Sequence, residues 1–291
     1  MGEQVDEARR EKVRVIPLHC IDDFPDHPFL VKDDESMDQL MHSIKMNGVL
    51  NPVIARRKEG ERYELISGHR RKHACERLGI EVIPIIVREL SREEAIIEMV
   101  DSNLQREYIL PSEKARAYKM KMDALKQQGR RTDLTSSPMG TKLRTDEVIA
   151  QEAGESRNQI QRYIRLNELT PELLEFVDEG KIGMRPAVEL SYLQEEEMRD
   201  VVDFIDTEGV FPSHAQTIRM RALSKEGRLD TEAINDIMYE EKPNQKPRLK
   251  IAVEKIEKYF LPGTSQQQME DTIVKALALY RQRQRESRDA R

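Results

Sequence analysis

The chain has 291 residues, enough for about two domains each with its own core. Charged residues make up 35% of it and aromatic residues only 5%, with no tryptophan, so helix should dominate. A formal net charge of −6 excludes a surface coated in basic residues, so any contact with nucleic acid must come from local patches.

Cys20 and Cys75 lie far apart with no CxxC, which excludes a disulfide framework and a structural zinc site and suits a reducing compartment. The charged first residues and the lack of a membrane-length apolar run point to a soluble, cytoplasmic protein.

Residues 1–12 read as a solvated tail. A β-branched run at 13–16 predicts a strand, and IDDFPDHPFLVKDD, with two prolines, a loop. Ser36 is a candidate cap for a helix to Met46 with Met37, Leu40, Met41 and Ile44 on one stripe, stopped by Gly48. Strands follow at 52–56 and 63–67, joined by a turn at Lys58-Glu59-Gly60.

The second of these strands runs into SGHRRKHACERLG. A strand that ends in glycine and opens a helix presents free N–H groups and the positive end of the helix dipole, and Arg70 and Arg71 add two charges suited to phosphate oxygens. A surface helix whose arginines meet solvent fits the same residues. His69 and His73 stand one turn apart, and without a third candidate ligand an exposed polar pair is expected rather than a metal site. A further strand at 82–87 is followed by Ser91 and Glu94, which form a capping box for a helix to about Asn103. After a break at 108–110, Pro111 opens a new helix, and 129–142, rich in Gly, Ser, Thr and Pro, reads as a loop or hinge.

The stretch RTDEVIAQEAGESRNQIQRYIRLNEL, 144–169, reads as a helix-turn-helix. Thr145 is placed to cap a first helix with Val148, Ile149 and Ala153 inward, Gly154 makes the turn and Ser156 caps a second helix. Ile160 and Ile164 pack inward there, leaving Arg157, Asn158, Gln159, Gln161, Arg162 and Tyr163 to face out. Such a helix fits the major groove, where the planar groups of Arg, Asn and Gln pair with base edges. An αα-hairpin with a polar surface helix is the plain alternative.

Pro171 opens another helix, and more follow to about Tyr239, divided by Pro186 and Pro212. EEKPNQKPR reads as a linker. Beyond it Met269, Ile273, Leu277 and Tyr280 form one helical stripe, with Ile256 and Phe260 able to pack on it, in a small unit that would gain stability by pairing with a second copy.

Taken in order, GVLNPVIAR, ELISGHRRKHACERLG, SNLQRE with PSEKARAY, and the helix-turn-helix resemble the ParB/RepB family of DNA partition proteins, from about residue 13 to residue 193. AGESRNQIQRYIRL and PAVELSYL look like variants from integrative and conjugative elements of Gram-positive bacteria. The resemblance implies an α+β, sulfiredoxin-like N-terminal domain at 13–110 that binds CTP with Mg2+. It implies an all-α DNA-binding domain at 111–240 with the helix-turn-helix at 145–166. A linker at 241–248 and a small, dimerising C-terminal unit at 249–291 complete the expected organisation.

The expected partners are a palindromic, centromere-like site on double-stranded DNA, a ParA-type ATPase and a second copy of the chain. The expected location is cytoplasmic and nucleoid-associated, with no membrane. By motif, the resemblance assigns Gly68, His69, Arg70, Arg71, Asn103 and Arg106 to the nucleotide, and Asn103 also to its magnesium. The DNA-reading set is Ser156, Arg157, Asn158, Gln159, Gln161, Arg162 and Tyr163.

The chain departs from the family pattern at several places. His69 replaces the glutamate of GERR, and Ser102 replaces the glutamate of ENLQR that is implicated in hydrolysis, which leaves CTP turnover open. Asn51 replaces a common glutamine, and MRPAVEL stands where a GHAR-like sequence is usual. Two further readings share these features. One is a helix-turn-helix transcription regulator without clamp activity, and the other is a nucleotide hydrolase or phosphotransferase on the N-terminal domain, against which Ser102 counts.

Overall fold

The computed structural model describes residues 12–106, 108–133 and 144–240, with scattered positions between 259 and 280. The chain divides into two units, Met1–Glu240 and Glu241–Arg291.

In the first unit, strand β1 (Val13–Pro17) leads through a 3-10 turn at Leu18–Cys20 to the two-residue strand β2 (Ile21–Asp22). Helix α1 (Glu35–Asn47) is capped by Asp34, whose carboxylate accepts from the Met37 N–H at 2.9 Å, so Ser36 is not the cap. The Ser36 hydroxyl is taken by Arg70 instead. Strands β3 (Val53–Arg57), β4 (Tyr63–Ser67) and β5 (Val82–Arg88) bracket helix α2 (His69–Arg77). Sheet order is β1-β5-β3-β4-β2. β1 runs antiparallel to β5, β5 parallel to β3, β3 antiparallel to β4, and β4 parallel to β2.

Both faces of this sheet are covered, and the pleat sorts the residues between them. Val53, Ala55 and Leu65 meet Met37, Ile44, Ala74 and Cys75 of α1 and α2. Ile66 turns to the other face, where Phe24, Phe29, Ala95, Met99, Val100 and Ala117 gather under helices α3 (Arg92–Leu104) and α4 (Pro111–Asp133). Glu64, buried on β4, is matched by Arg56 at 2.6 Å. Ser91 and Glu94 form the expected capping box of α3.

Helix α4 is shared by three cores. Ala117 belongs to the sheet side, Tyr118 and Met122 pack with Ile149 and Ile160, and Ala115 joins the largest cluster, which runs through Leu173, Leu190, Val201 and Met220. The loop expected from Gly129 begins later, since α4 continues to Asp133. A single helical glycine costs only about 1 kcal/mol, which a helix this well anchored upstream absorbs.

The remaining helices are α5 (Thr145–Ala153), α6 (Arg157–Arg165), α7 (Pro171–Asp178), α8 (Met184–Leu190), α9 (Glu195–Glu208), α10 (His214–Lys225) and α11 (Thr231–Tyr239). Pro186 does not divide helices: it lies in the first turn of α8, where its missing N–H has no intrahelical partner to lose. Pro212 does precede a helix, just before Ser213 caps α10.

In the second unit, Phe260, Ile273, Leu277 and Tyr280 line one groove with Tyr259, and Leu277 and Tyr280 are exposed. Ile256 and most of the expected linker lie outside the described residues, as do nearly all of the N-terminal tail and residues 281–291. Among the described residues no helix is long and apolar enough to cross a membrane.

Candidate functional site

Two sites are assembled on this frame. The first lies where β4 ends and α2 begins. Gly68 holds φ +107° there, and a Cβ at that position would meet Val53 Cγ1 at 2.6 Å and the Arg71 guanidinium at 3.1 Å. The glycine therefore lets the α2 N-terminus close onto β3 with its first N–H groups free of intrahelical partners. Arg71 donates to the carbonyls of Asn51 and Pro52 at 2.6 and 2.7 Å, which fixes the entry to β3. Burial works against its charge. Arg70 reaches across to Ser36 and lies 3.6 Å from Asp34, yet its Nε is buried without a partner.

His69 is 9% exposed, not the surface residue expected, and its ring lies against that of His27 with centroids 3.7 Å apart and planes tilted by 36°. His73 turns elsewhere, to Asp33 at 3.0 Å, so the two histidines of α2 share no ligand. Among the described residues no group of three His, Cys, Asp or Glu is placed to hold a metal. Burial pushes the His69 imidazole down to about 3, helped by the neighbouring His27, Lys72 and Arg106. The His27 imidazole is lowered too, mainly by burial.

Arg106 comes to the same place from the end of α3, its guanidinium over the Phe29 ring at 5.3 Å. Asn103 is buried one turn earlier and donates to the Met99 carbonyl at 2.8 Å, and the Ser102 hydroxyl donates to the same carbonyl at 3.0 Å. The Nε2 atoms of His27 and His69 and Nε of Arg70 are thus three buried nitrogens with no partner at one helix start. An unmatched buried polar atom costs about 1–3 kcal/mol, so three together indicate a site built for a polar ligand. Arg70, Arg71 and Arg106 around it suit an anion, and the residues present fit a phosphate chain. His27 was missed in the sequence: it sits in a proline-flanked loop, and only the fold brings it to α2.

His69 also makes a prediction for the protein alone. The unfolded chain protonates this residue below its ordinary value of 6.5, whereas the folded chain keeps it neutral to about 3. Stability from this source is therefore complete above pH 6.5 and is lost as pH falls, by about 2 kcal/mol at pH 5. Urea midpoints at pH 7.5 and pH 5 should fall further apart in the wild type than in His69→Gln. Equal pH dependence in the two would remove the buried neutral histidine as the cause.

The second site is the helix-turn-helix. Gly154 takes the left-handed turn at φ +66° and Ser156 caps α6 by accepting from the Gln159 N–H at 3.2 Å. The first helix starts one residue differently from expectation. Thr145 is its first helical residue, and the Glu147 carboxylate accepts from the Arg144 N–H at 3.2 Å.

Ile160 is fully buried and Ile164 partly so. Asn158 and Arg162 are exposed, and Gln159 is half-buried. Arg157 and Gln161 both reach the buried carboxylate of Asp146 on α5, at 2.8 and 3.0 Å. Tyr163 does not face out: it packs between the cores, 5.7 Å from Tyr118 and under Lys114 at 5.1 Å. At the end of α6, Arg165 donates to the Ser191 hydroxyl and carbonyl and lies over Tyr192 at 4.1 Å, which ties α8 beside α6.

Residues 2–104 match the model of the ParB N-terminal domain, and 139–211 that of the ParB HTH domain. Over 206 residues the chain is 31% identical to the chromosome-partitioning protein Spo0J of Thermus thermophilus, covering 71% of this chain and 70% of that one. The chain belongs to the ParB family.

A second ParB-family relative, the nucleoid occlusion protein of Listeria innocua, is 33% identical over 199 residues, 67% of this chain and 64% of its own length. The match thus spans just under two thirds of the Listeria protein. Among solved structures, C-terminally truncated ParB from Caulobacter crescentus complexed to the centromeric parS site is 25% identical. That match covers 73% of this chain and 99% of the other, with a TM-score of 0.42.

Proposed function

We propose that this ParB-family chain is a site-specific DNA-binding partition protein whose hold on DNA is set by a nucleoside triphosphate. Its Spo0J relative is named for chromosome partitioning, and this chain pairs an HTH module with an anion site on one compact unit. The observation that carries the reading is the surface of α6: Asn158 and Arg162 stand exposed while Asp146 holds Arg157 and Gln161 beside them. Planar side chains held at a fixed helix surface are what base-edge readout in the major groove requires. The DNA partner is a palindromic double-stranded site bound by a homodimer, with the apolar groove of the second unit available for pairing.

At the first site the ligand is CTP with Mg2+. The α2 N-terminus, Arg70, Arg71 and Arg106 would hold the phosphates with His69 beside them, and Asn103, one turn before Arg106, would serve the nucleotide's magnesium. The nucleotide supplies the charge that favours the closed, clamp form of the dimer. A ParA-type ATPase is the partner, and a mobile genetic element the setting. The proposal is for binding rather than turnover, because Ser102 offers a hydroxyl already donated to Met99 where a base would be needed.

The test is a titration of the purified protein with CTP, ATP, GTP and UTP in magnesium. Selective binding of CTP is expected, lost in Arg70→Ala. That variant is preferred to Arg71→Ala, since Arg71 also anchors the Asn51 and Pro52 carbonyls. Binding of no nucleotide, with or without DNA, would leave a helix-turn-helix transcription regulator as the better reading. For the second site, Arg162→Ala should weaken binding to the specific DNA by about 1–3 kcal/mol and leave non-specific binding nearly unchanged. Equal loss on both DNAs would make Arg162 a phosphate contact, not a reader of bases.

A further inference from the structure

The adjacent histidines carry an inference that rests on the triphosphate reading of the Gly68–Arg71 turn. In His27 the Nδ1 atom lies 2.7 Å from the Phe29 carbonyl oxygen, so Nδ1 must carry the proton and donate. In the neutral ring, then, Nε2 is a bare lone pair, buried and without a partner. A lone pair cannot donate to a phosphate oxygen. Only a proton on Nε2 turns this atom from one that repels the anion into one that binds it.

The cations facing the pair favour the neutral state while no ligand is bound, and the two acids that face His27 oppose them. His69 sits among Lys72, Arg106 and His27 itself, and His27 faces Arg106, Asp23 and Glu113. The two acids are already engaged. Asp23 pairs with Lys72 at 2.8 Å, and Glu113 accepts from the N–H groups of Leu30 and Leu110 at 2.8 and 3.1 Å. Arg70, next to His69 in the chain, likewise has a buried Nε without a partner. A triphosphate reverses the sign of this field. Its negative charge attracts a proton to the pair, and the desolvated site strengthens that attraction.

We propose that His27 and His69 form a proton-coupled subsite for the triphosphate, in which nucleotide binding carries one proton from solvent onto the pair. One proton suffices, because two imidazolium rings at 3.7 Å would repel each other. The bound state then holds an imidazolium donor at the position where the empty protein holds an orphan nitrogen. Affinity for nucleotide therefore tightens as pH falls, by up to tenfold per pH unit while the proton is being taken up.

The experiment is calorimetry of the full chain with CTP and magnesium, at pH 6.5 and 7.5, in two buffers of different protonation enthalpy. The expected result is an uptake approaching one proton per site and tighter binding at pH 6.5. Inorganic tripolyphosphate should show the same uptake, and His27→Gln should bind with the uptake largely gone. The difference between wild type and His27→Gln cancels protons that belong to the nucleotide. Buffer-independent heats with unchanged affinity across this pH range would overturn the proposal and leave the triphosphate site standing. Uptake with CTP but not with tripolyphosphate would also overturn it, since the proton would then belong to base recognition. No nucleotide binding at either pH would overturn the triphosphate reading and this inference with it. If His27→Gln fails to fold, the wild-type heats and His69→Gln decide the matter.

Discussion

Gly68→Ala is expected to destabilise the first unit by about 2–6 kcal/mol and to abolish anion binding in whatever fraction stays folded. Two separate effects add here. A φ of +107° lies outside the region an alanine backbone adopts, which costs about 1–3 kcal/mol. The new methyl group would stand 2.6 Å from Cγ1 and 3.0 Å from Cβ of Val53, a fully buried β3 residue with hydrogen-bonded strands on both sides. Val53 has no room to yield, and overpacking of this kind costs about 1–3 kcal/mol more. Chemical denaturation gives the stability and tripolyphosphate binding gives the site. An alanine variant of near wild-type stability would mean that α2 starts elsewhere.

The second large effect concerns Lys121 on α4. Its side chain is 1% exposed, and its ammonium pairs with Asp101 of α3 and with Glu152 of α5, the latter at 2.6 Å. Lys121→Glu buries a carboxylate beside two others, and a loss of about 4 kcal/mol or more is expected. Lys121→Met keeps the stem and removes the charge. Asp101 and Glu152 are 43% and 53% exposed, so both can regain water, and a loss of only about 1–2 kcal/mol is expected. Urea midpoints for the two variants make the comparison. Equal losses would show that the packed stem, not the ion pairs, is what Lys121 contributes.

Much of this fold was legible because its signals are local. Ser91 with Glu94, Gly154 and Ser156 each act on backbone within three or four residues, so a linear reading finds them. Asp34 was overlooked for Ser36 because both stand before the same apolar stripe, and Arg70, which claims the Ser36 hydroxyl, arrives from another element. The two residues of β2 were too few to show a period.

The sites divide in the same way. Residues such as Arg70, Arg71 and Asn158 are marked by their own surroundings, whereas His27 and Asp146 join their sites only through tertiary contact. Tyr163 stands three residues after the buried Ile160 on α6, a spacing that already turns it inward, and α4 meets it there with Tyr118 and Lys114. That period was in the sequence, whereas the contacts of His27 and Asp146 leave no periodic trace.

The placement of α4 bears on how this unit comes apart. Family models cover 2–104 and 139–211, and α4 spans Pro111–Asp133 in the interval that neither contains. Yet this helix contributes Ala115, Ala117 and Tyr118 to three different cores. A fragment cut at either model's edge would strip α4 from one partner and expose the apolar surface it had covered. The two modules match separate family models and share this one helix: melting of α4 removes a wall from both, so a single unfolding transition is expected of them.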